Sequence, residues 1–186
     1  MHLFLKKYYA ITDRKQFKRD FEEQVKRMLS KGIRMFQLRE KDLPDEELFY
    51  LAENMKNLLD GYDTVLLINS RVDIAVLTGA EGVHLPERSI PVEAVKHKFP
   101  ELIVGKSCHS IESAKKAEEA GADFITFSPI FETPGKGKPV GLKKLKEVVD
   151  AVNIPVYALG GITEENIPEV LSTGAYGIAG IRLFID

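Results

Sequence analysis

Eight alternations of a short apolar, strand-like segment with a segment of helical periodicity run along this 186-residue chain. They predict an α/β fold closed into a TIM-type (β/α)8 barrel with a truncated final helix. Two further observations bear on the sheet, the second of them setting closure against an open doubly wound arrangement. The segment Val65-Leu66-Leu67-Ile68 is almost continuously apolar, as a strand covered on both faces is. No G-x-G-x-x-G follows the first strand, where a dinucleotide-binding doubly wound fold would carry one. Residues 1–186 read as a single domain.

The elements follow in order. Tyr8 to Ile11 is the first strand, and Phe17, Phe21, Val25, Met28 and Leu29 recur at helical spacing until Gly32. Met35 to Leu38 is the second strand, followed by a helix from Pro44 and Asp45 to Asp60-Gly61. Val65 to Ile68 precedes a short helix with Ile74, Ala75 and Leu77. Gly82 to Leu85 is the fourth strand, with a helix from Val92 to Phe99. Leu102 to Gly105 is the fifth, leading through Lys106-Ser107-Cys108-His109 into a helix from Ser110. Phe124 to Phe127 is the sixth, followed by a long loop to Gly141 and a helix from Leu142 to Val152. Pro155 to Leu159 runs into Gly160-Gly161, with a helix expected from Thr163, and Gly177 to Ile181 is the eighth strand. Only Arg182 to Asp186 remain for a last helix. Apolar barrel surface is therefore expected to lie open there, with a second copy covering it in a homodimer.

Composition removes several classes. A net charge of −2 gives no reason to expect general nucleic-acid binding. No apolar run reaches the roughly 18 residues of a membrane span. The first apolar stretch, Met1 to Leu5, is short for a signal peptide and precedes its lysines. With a lone cysteine, Cys108, no internal disulfide is possible, and the expected location is the cytoplasm.

In a barrel the site is built by loops at the carboxyl ends of the strands. Gly160-Gly161 can turn with positive φ and converge amide donors on a phosphate, or form a tight turn without a ligand. Arg39 and Lys41, on alternate positions after the second strand, form a polyanion cradle with Lys136 from the glycine-rich sixth loop. Singly, each also reads as solvated surface charge. Asn69 either hydrogen-bonds a heterocycle or caps the next helix. Of four histidines, His2 and His97 read as surface residues, while His84 and His109 end strands and are candidate acid–bases. No cluster has metal-cage spacing, and the expected cofactor is none.

These residues together resemble the thiamin phosphate synthase and TenI superfamily over essentially the whole chain. The matching stretches are Tyr9-Ala-Ile-Thr-Asp-Arg14, Gln37-Leu-Arg-Glu-Lys41, Leu67-Ile-Asn-Ser-Arg71, Gly82-Val-His-Leu85, Gly105-Lys-Ser-Cys-His109, Phe127-Ser-Pro-Ile-Phe131, Ala158-Leu-Gly-Gly-Ile162 and Gly177-Ile-Ala179. The resemblance implies a barrel that binds a thiazole phosphate through Gly160, Gly161, Ile181 and Arg182, mainly by backbone amides. It implies that Arg39, Lys41, Asn69, Ser107, Thr133 and Lys136 match positions binding pyrophosphate or pyrimidine in the synthase. The synthase pattern also carries two metal-serving aspartates, where this chain has Ser70 and Ser89. The text Asn69-Ser-Arg-Val-Asp-Ile-Ala75 and Phe131-Glu-Thr133 looks more like the TenI branch, which includes a thiazole tautomerase. The catalytic histidine of that enzyme falls in the sixth loop, where this chain has Pro129.

The leading expectation is therefore a TenI-like thiazole tautomerase of thiamin biosynthesis, with His109 as first acid–base candidate and Cys108 and His84 behind it. The second is a thiamin phosphate synthase, joining a pyrimidine methyl pyrophosphate to the thiazole phosphate with Mg²⁺. The third is a non-catalytic thiazole-phosphate-binding protein. In all three the partner is a small molecule, with no nucleic acid or membrane.

Overall fold

The computed structural model describes residues 5–186; His2 and the rest of the first four residues lie outside it. Eight parallel strands close into one barrel in sequence order: β1 (Tyr8–Ile11), β2 (Met35–Leu38), β3 (Val65–Asn69), β4 (Gly82–Leu85), β5 (Ile103–Cys108), β6 (Phe124–Phe127), β7 (Val156–Ala158) and β8 (Gly177–Gly180). β8 closes on β1 with Tyr9 opposite Ala179. The helices between them are α1 (Phe21–Ser30), α2 (Asp45–Leu59), α3 (Val72–Thr78), α4 (Val92–Lys98), α5 (Ile111–Glu119), α6 (Gly141–Ala151) and α7 (Ile167–Leu171).

The two-residue period of each strand divides the core into layers. Inward residues include Tyr9, Met35, Leu67, Phe124, Tyr157 and Ala179. The rings of Tyr9, Phe124 and Tyr157 meet edge to face, with centroids 5.3 to 5.6 Å apart. That geometry suits the ring quadrupoles and fills the barrel, so the floor under the mouth is solid. Outward residues pack beneath the helices in two clusters. One contains Val25, Phe36, Met55 and Leu66; the other Val104, Cys108, Ala114 and Leu145.

Among the boundaries that differ from the sequence-based expectation, three have a clear physical cause. Phe17 lies ahead of α1, because the Asp20 carboxylate accepts from the Glu23 amide and starts the helix at Phe21. The seventh helix begins at Ile167 rather than Thr163, since the Asn166 side chain accepts from the Thr163 amide and holds 163–166 as a turn. β5 runs three residues past Gly105, as Lys106, Ser107 and Cys108 pair with Ile125, Thr126 and Phe127 of β6.

After β8 the chain makes only a short 3-10 turn, Arg182–Phe184. Phe184 is buried in the cluster of α1 and α2, and its ring stands edge-on to Tyr8. Leu183 packs against both outer clusters. These two residues thus cover from within part of the surface expected to lie open after β8.

Candidate functional site

All the loops selected by the strand-end rule gather at one end of the barrel, but their side chains fall into distinct environments. On the first two loops a buried carboxylate organises the backbone. Glu40 is almost wholly buried, and its Oε2 accepts from the Thr12 hydroxyl at 2.6 Å. The same carboxylate accepts from the Arg14 amide and guanidinium. Thr12 Oγ1 in turn accepts from the Arg39 amide at 3.0 Å. One carboxylate therefore fixes the backbone between Arg39 and Lys41. Arg14 is also held by Asp42, and that pairing keeps the Asp42 carboxyl well below the usual range.

Arg39, Lys41 and Lys136 form no ion pair among the described residues, unlike Arg14 and Arg71 on neighbouring loops. Lys41 and Asn69 line a cleft of about 220 Å³ between the second and third loops. The Asn69 side chain does not cap α3, whose first residue is preceded by Arg71 with no side-chain cap. That leaves its amide free for a ligand. Ser70 stands at φ +62°, a conformation uncommon for a residue with a β-carbon, and its amide donates to the His84 carbonyl. Lys136 sits at the tip of loop 132–139, which bounds an open hollow of about 540 Å³. The Thr133 hydroxyl donates to the Phe131 carbonyl.

The extra length of β5 decides the fate of its polar residues. Ser107 points inward and Cys108 outward, into the layer beneath the helices. Burial pushes the Cys108 thiol up to about 12, so this acid–base candidate is a packing residue away from the mouth. Lys106 also points outward and folds the fourth loop, donating to the carbonyls of Pro86 and Glu87 and to Ser89 Oγ at 3.2 Å.

His84 is buried, with Nδ1 3.0 Å from the Tyr9 hydroxyl and Nε2 3.0 Å from Ser107 Oγ. Burial first, then the positive charges of Lys106 and Arg39, pull its imidazole down to about 3. It is neutral at physiological pH and hydrogen-bonded on both nitrogens, so it has no free nitrogen to trade a proton with a substrate. His109 is different. It is exposed, and its Nδ1 is 2.9 Å from the Ser128 carbonyl. A carbonyl only accepts, so Nδ1 carries the hydrogen and Nε2 is the open basic atom.

Across the mouth, Gly160 and Gly161 stand at φ +109° and +65°. A β-carbon at Gly160 would lie 2.8 Å from Pro129 Cα, and one at Gly161 2.7 Å from the Glu132 carbonyl oxygen. The pair is glycine partly because the sixth loop rests on it, with the Phe131 amide donating to the Gly160 carbonyl. The amides of Gly160, Gly161, Ile162, Ile181 and Arg182 have no acceptor among the described residues. Unpaired amide donors at the ends of adjacent strands are what an anion site of backbone N–H groups requires. The Arg182 guanidinium is turned to Gln16, 3.1 Å away, so its backbone rather than its charge faces this region.

Sequence reasoning missed the wiring behind the site: Glu40, and the chain Gln37–Tyr9–His84, in which Gln37 Nε2 donates to the Tyr9 hydroxyl at 3.1 Å. The available signal was period two. Gln37 is a polar residue within an otherwise apolar strand, buried on all sides.

Residues 8–184 match the family model described as thiamine monophosphate synthase. A provisionally named thiamine-phosphate synthase 2 of Aquifex aeolicus (strain VF5) is 56% identical over 184 residues, covering 98% of this chain and 99% of the relative. The thiamine-phosphate synthase of Caldivirga maquilingensis (strain ATCC 700844 / DSM 13496 / JCM 10307 / IC-167) is 39% identical over 175 residues, 93% of this chain and 85% of the relative. Among solved structures, a thiamine phosphate pyrophosphorylase from Pyrococcus furiosus superposes with a TM-score of 0.87 at 38% identity, covering 94% of this chain and 85% of the other.

Proposed function

This chain belongs to the thiamine monophosphate synthase and TenI family, and from that premise we propose that it is a thiamin phosphate synthase. The reading joins a pyrimidine methyl pyrophosphate to a thiazole phosphate. The observation that supports it is that two separate sets of donors without partners among the described residues lie at one barrel mouth. Unpaired amides lie after β7 and β8, and unpaired cations Arg39, Lys41 and Lys136 lie on the second and sixth loops. Two phosphorylated substrates need both. The names of the relatives favour this transferase over the tautomerase that the sequence put first.

In this reading the thiazole phosphate lies on the amides of Gly160, Gly161, Ile181 and Arg182. The pyrophosphate lies on Arg39, Lys41 and Lys136, with Asn69 beside the pyrimidine and Ser107 and Thr133 at the edges. The thiazole nitrogen's lone pair forms a C–N bond to the methylene carbon as the C–O bond to pyrophosphate breaks. Pyrophosphate leaves with that electron pair, and the ring nitrogen becomes cationic. Fixed cations aimed at the leaving oxygens stabilise charge where it grows.

The family's synthase also uses Mg²⁺, and the donors here do not fit a protein-held divalent cation. Ser70 and Ser89 offer neutral hydroxyls where carboxylates are wanted. Ser89 Oγ donates to the Pro86 carbonyl, and the Lys106 ammonium is already on it. No step is therefore routed through a metal.

A second reading, the tautomerase, is favoured by His109, whose open Nε2 could carry a proton between ring positions. A paired assay separates the two. Thiamin phosphate formation from both substrates supports the transferase. Aromatisation of the non-aromatic thiazole phosphate carboxylate, abolished by His109→Asn, with no thiamin phosphate formed, replaces it. Thiazole phosphate binding by calorimetry without either turnover leaves a binding protein.

A further inference from the structure

We infer that Gln37, Tyr9 and His84 form a directional hydrogen-bond chain across the barrel that presets the Ser107 hydroxyl as a donor toward an anion in the mouth. The inference rests on the transferase reading for the identity of that anion, a pyrophosphate.

The direction follows from counting hydrogens. Gln37 on β2 gives an amide N–H to the Tyr9 oxygen on β1. The phenol has one hydrogen, and the partners given to its oxygen are Gln37 and His84 Nδ1. Tyr9 is fully buried, so that hydrogen goes to Nδ1. With Gln37 Nε2 on the Tyr9 oxygen, the opposite polarity would have Nδ1–H donate to Tyr9 and leave the phenol hydrogen buried without an acceptor. With Nδ1 accepting, the neutral imidazole carries its hydrogen on Nε2 and gives it to Ser107 Oγ on β5. Ser107 then accepts from behind, and its own hydrogen is free to point into the mouth.

Burial supports both protonation states the chain needs. It raises the Tyr9 phenol well above its ordinary range, and it keeps His84 neutral. The rings themselves are held by the aromatic floor. Tyr9 stacks edge-on with Phe124 and Tyr157, and the His84 ring lies 5.8 Å from both Tyr9 and Phe124. Gln37, Tyr9 and His84 are thus positioning residues that act through Ser107. A serine whose hydrogen was given to His84 Nε2 would meet an anion with its lone pairs. A serine loaded from behind meets it only with the hydrogen.

The test combines spectroscopy with a double-mutant cycle. In protein labelled with ¹⁵N-histidine, the imidazole nitrogens of unaltered His84 are expected to show the Nε2–H tautomer. Tyr9→Phe keeps the ring and removes the relay. It is expected to mix the tautomers and weaken inorganic pyrophosphate binding by about tenfold in calorimetry. In the Ser107→Ala background the same Tyr9→Phe change is expected to cost nothing further. An Nδ1–H tautomer in the unaltered protein, or an equal loss in both backgrounds, overturns the relay. The tautomer measurement needs no variant, so it decides the matter even if Tyr9→Phe folds poorly. Failure of the unaltered protein to bind pyrophosphate overturns the donor role and the transferase reading together. The wrong tautomer in a protein that does bind pyrophosphate overturns the relay alone.

Discussion

The two sides of the barrel mouth present hydrogen-bond donors by different means. After β7 and β8 the donors are backbone amides, released by a glycine pair that also supports the sixth loop. After β2 to β5 they are side chains with buried partners behind them: Glu40 and Thr12 hold the backbone that carries Arg39, and Tyr9 and His84 stand behind Ser107. A backbone site is indifferent to most substitutions except those that forbid its φ angles. A side-chain site changes chemistry with single residues, as Ser70 and Ser89 show. The first side suits a group shared across a family, the second a group that differs between its members.

The largest expected effect tests the side-chain half. In the proposed transferase, Arg39→Ala combined with Lys136→Ala would remove two charge-assisted contacts of about 1.5–3 kcal/mol each. Thiamin phosphate formation should fall about a thousandfold, while thiazole phosphate affinity measured by calorimetry stays within about threefold. Equal losses in both would show that the mouth is one subsite rather than two.

Next is the backbone half. Gly160→Ala must hold a positive φ and push against Pro129, at a cost on the order of 3 kcal/mol read from the urea midpoint. Unchanged stability would mean that the glycines serve the ligand alone.

A smaller effect tests the buried wiring through pH. His84 has a folded value of about 3 against an ordinary 6.5, so the unfolded chain binds the proton that the folded one refuses. Between those values the unfolded state holds more protons, and stability falls as pH falls, by up to roughly 1.4 kcal/mol per pH unit. Above pH 6.5 the contribution is level. His84→Gln should remove this component from urea midpoints measured between pH 4 and 7, and an unchanged slope would place the titration elsewhere. The smallest effect is expected from Cys108→Ala. Stability should drop by about 1 kcal/mol with turnover unchanged, because the thiol packs under the helices. A large loss of turnover would return Cys108 to the mouth.

The barrel was legible because most strands end in a polar cluster and most helices end at a glycine, a periodic signal that survives errors of a residue or two. Strand-end residues such as Arg39, Asn69 and Gly160 fell where that rule put them. Cys108 did not, because one register position separates facing the mouth from facing the helices, and β5 is longer than its apolar stretch. The roles of Gln37, Tyr9 and Glu40 were illegible for another reason. Each depends on partners 25 or more residues away, and only closure of the barrel makes those partners neighbours.

The Glu40 carboxylate has a consequence for motion. It bonds the Arg14 amide directly and reaches the Arg39 amide through Thr12. Both amides hang on one carboxylate, so a movement of Glu40 loosens the two together. The first and second loops should therefore breathe as one unit, with matched hydrogen-exchange rates at Arg14 and Arg39. A ligand that stills Arg39 would slow exchange at Arg14 without touching it.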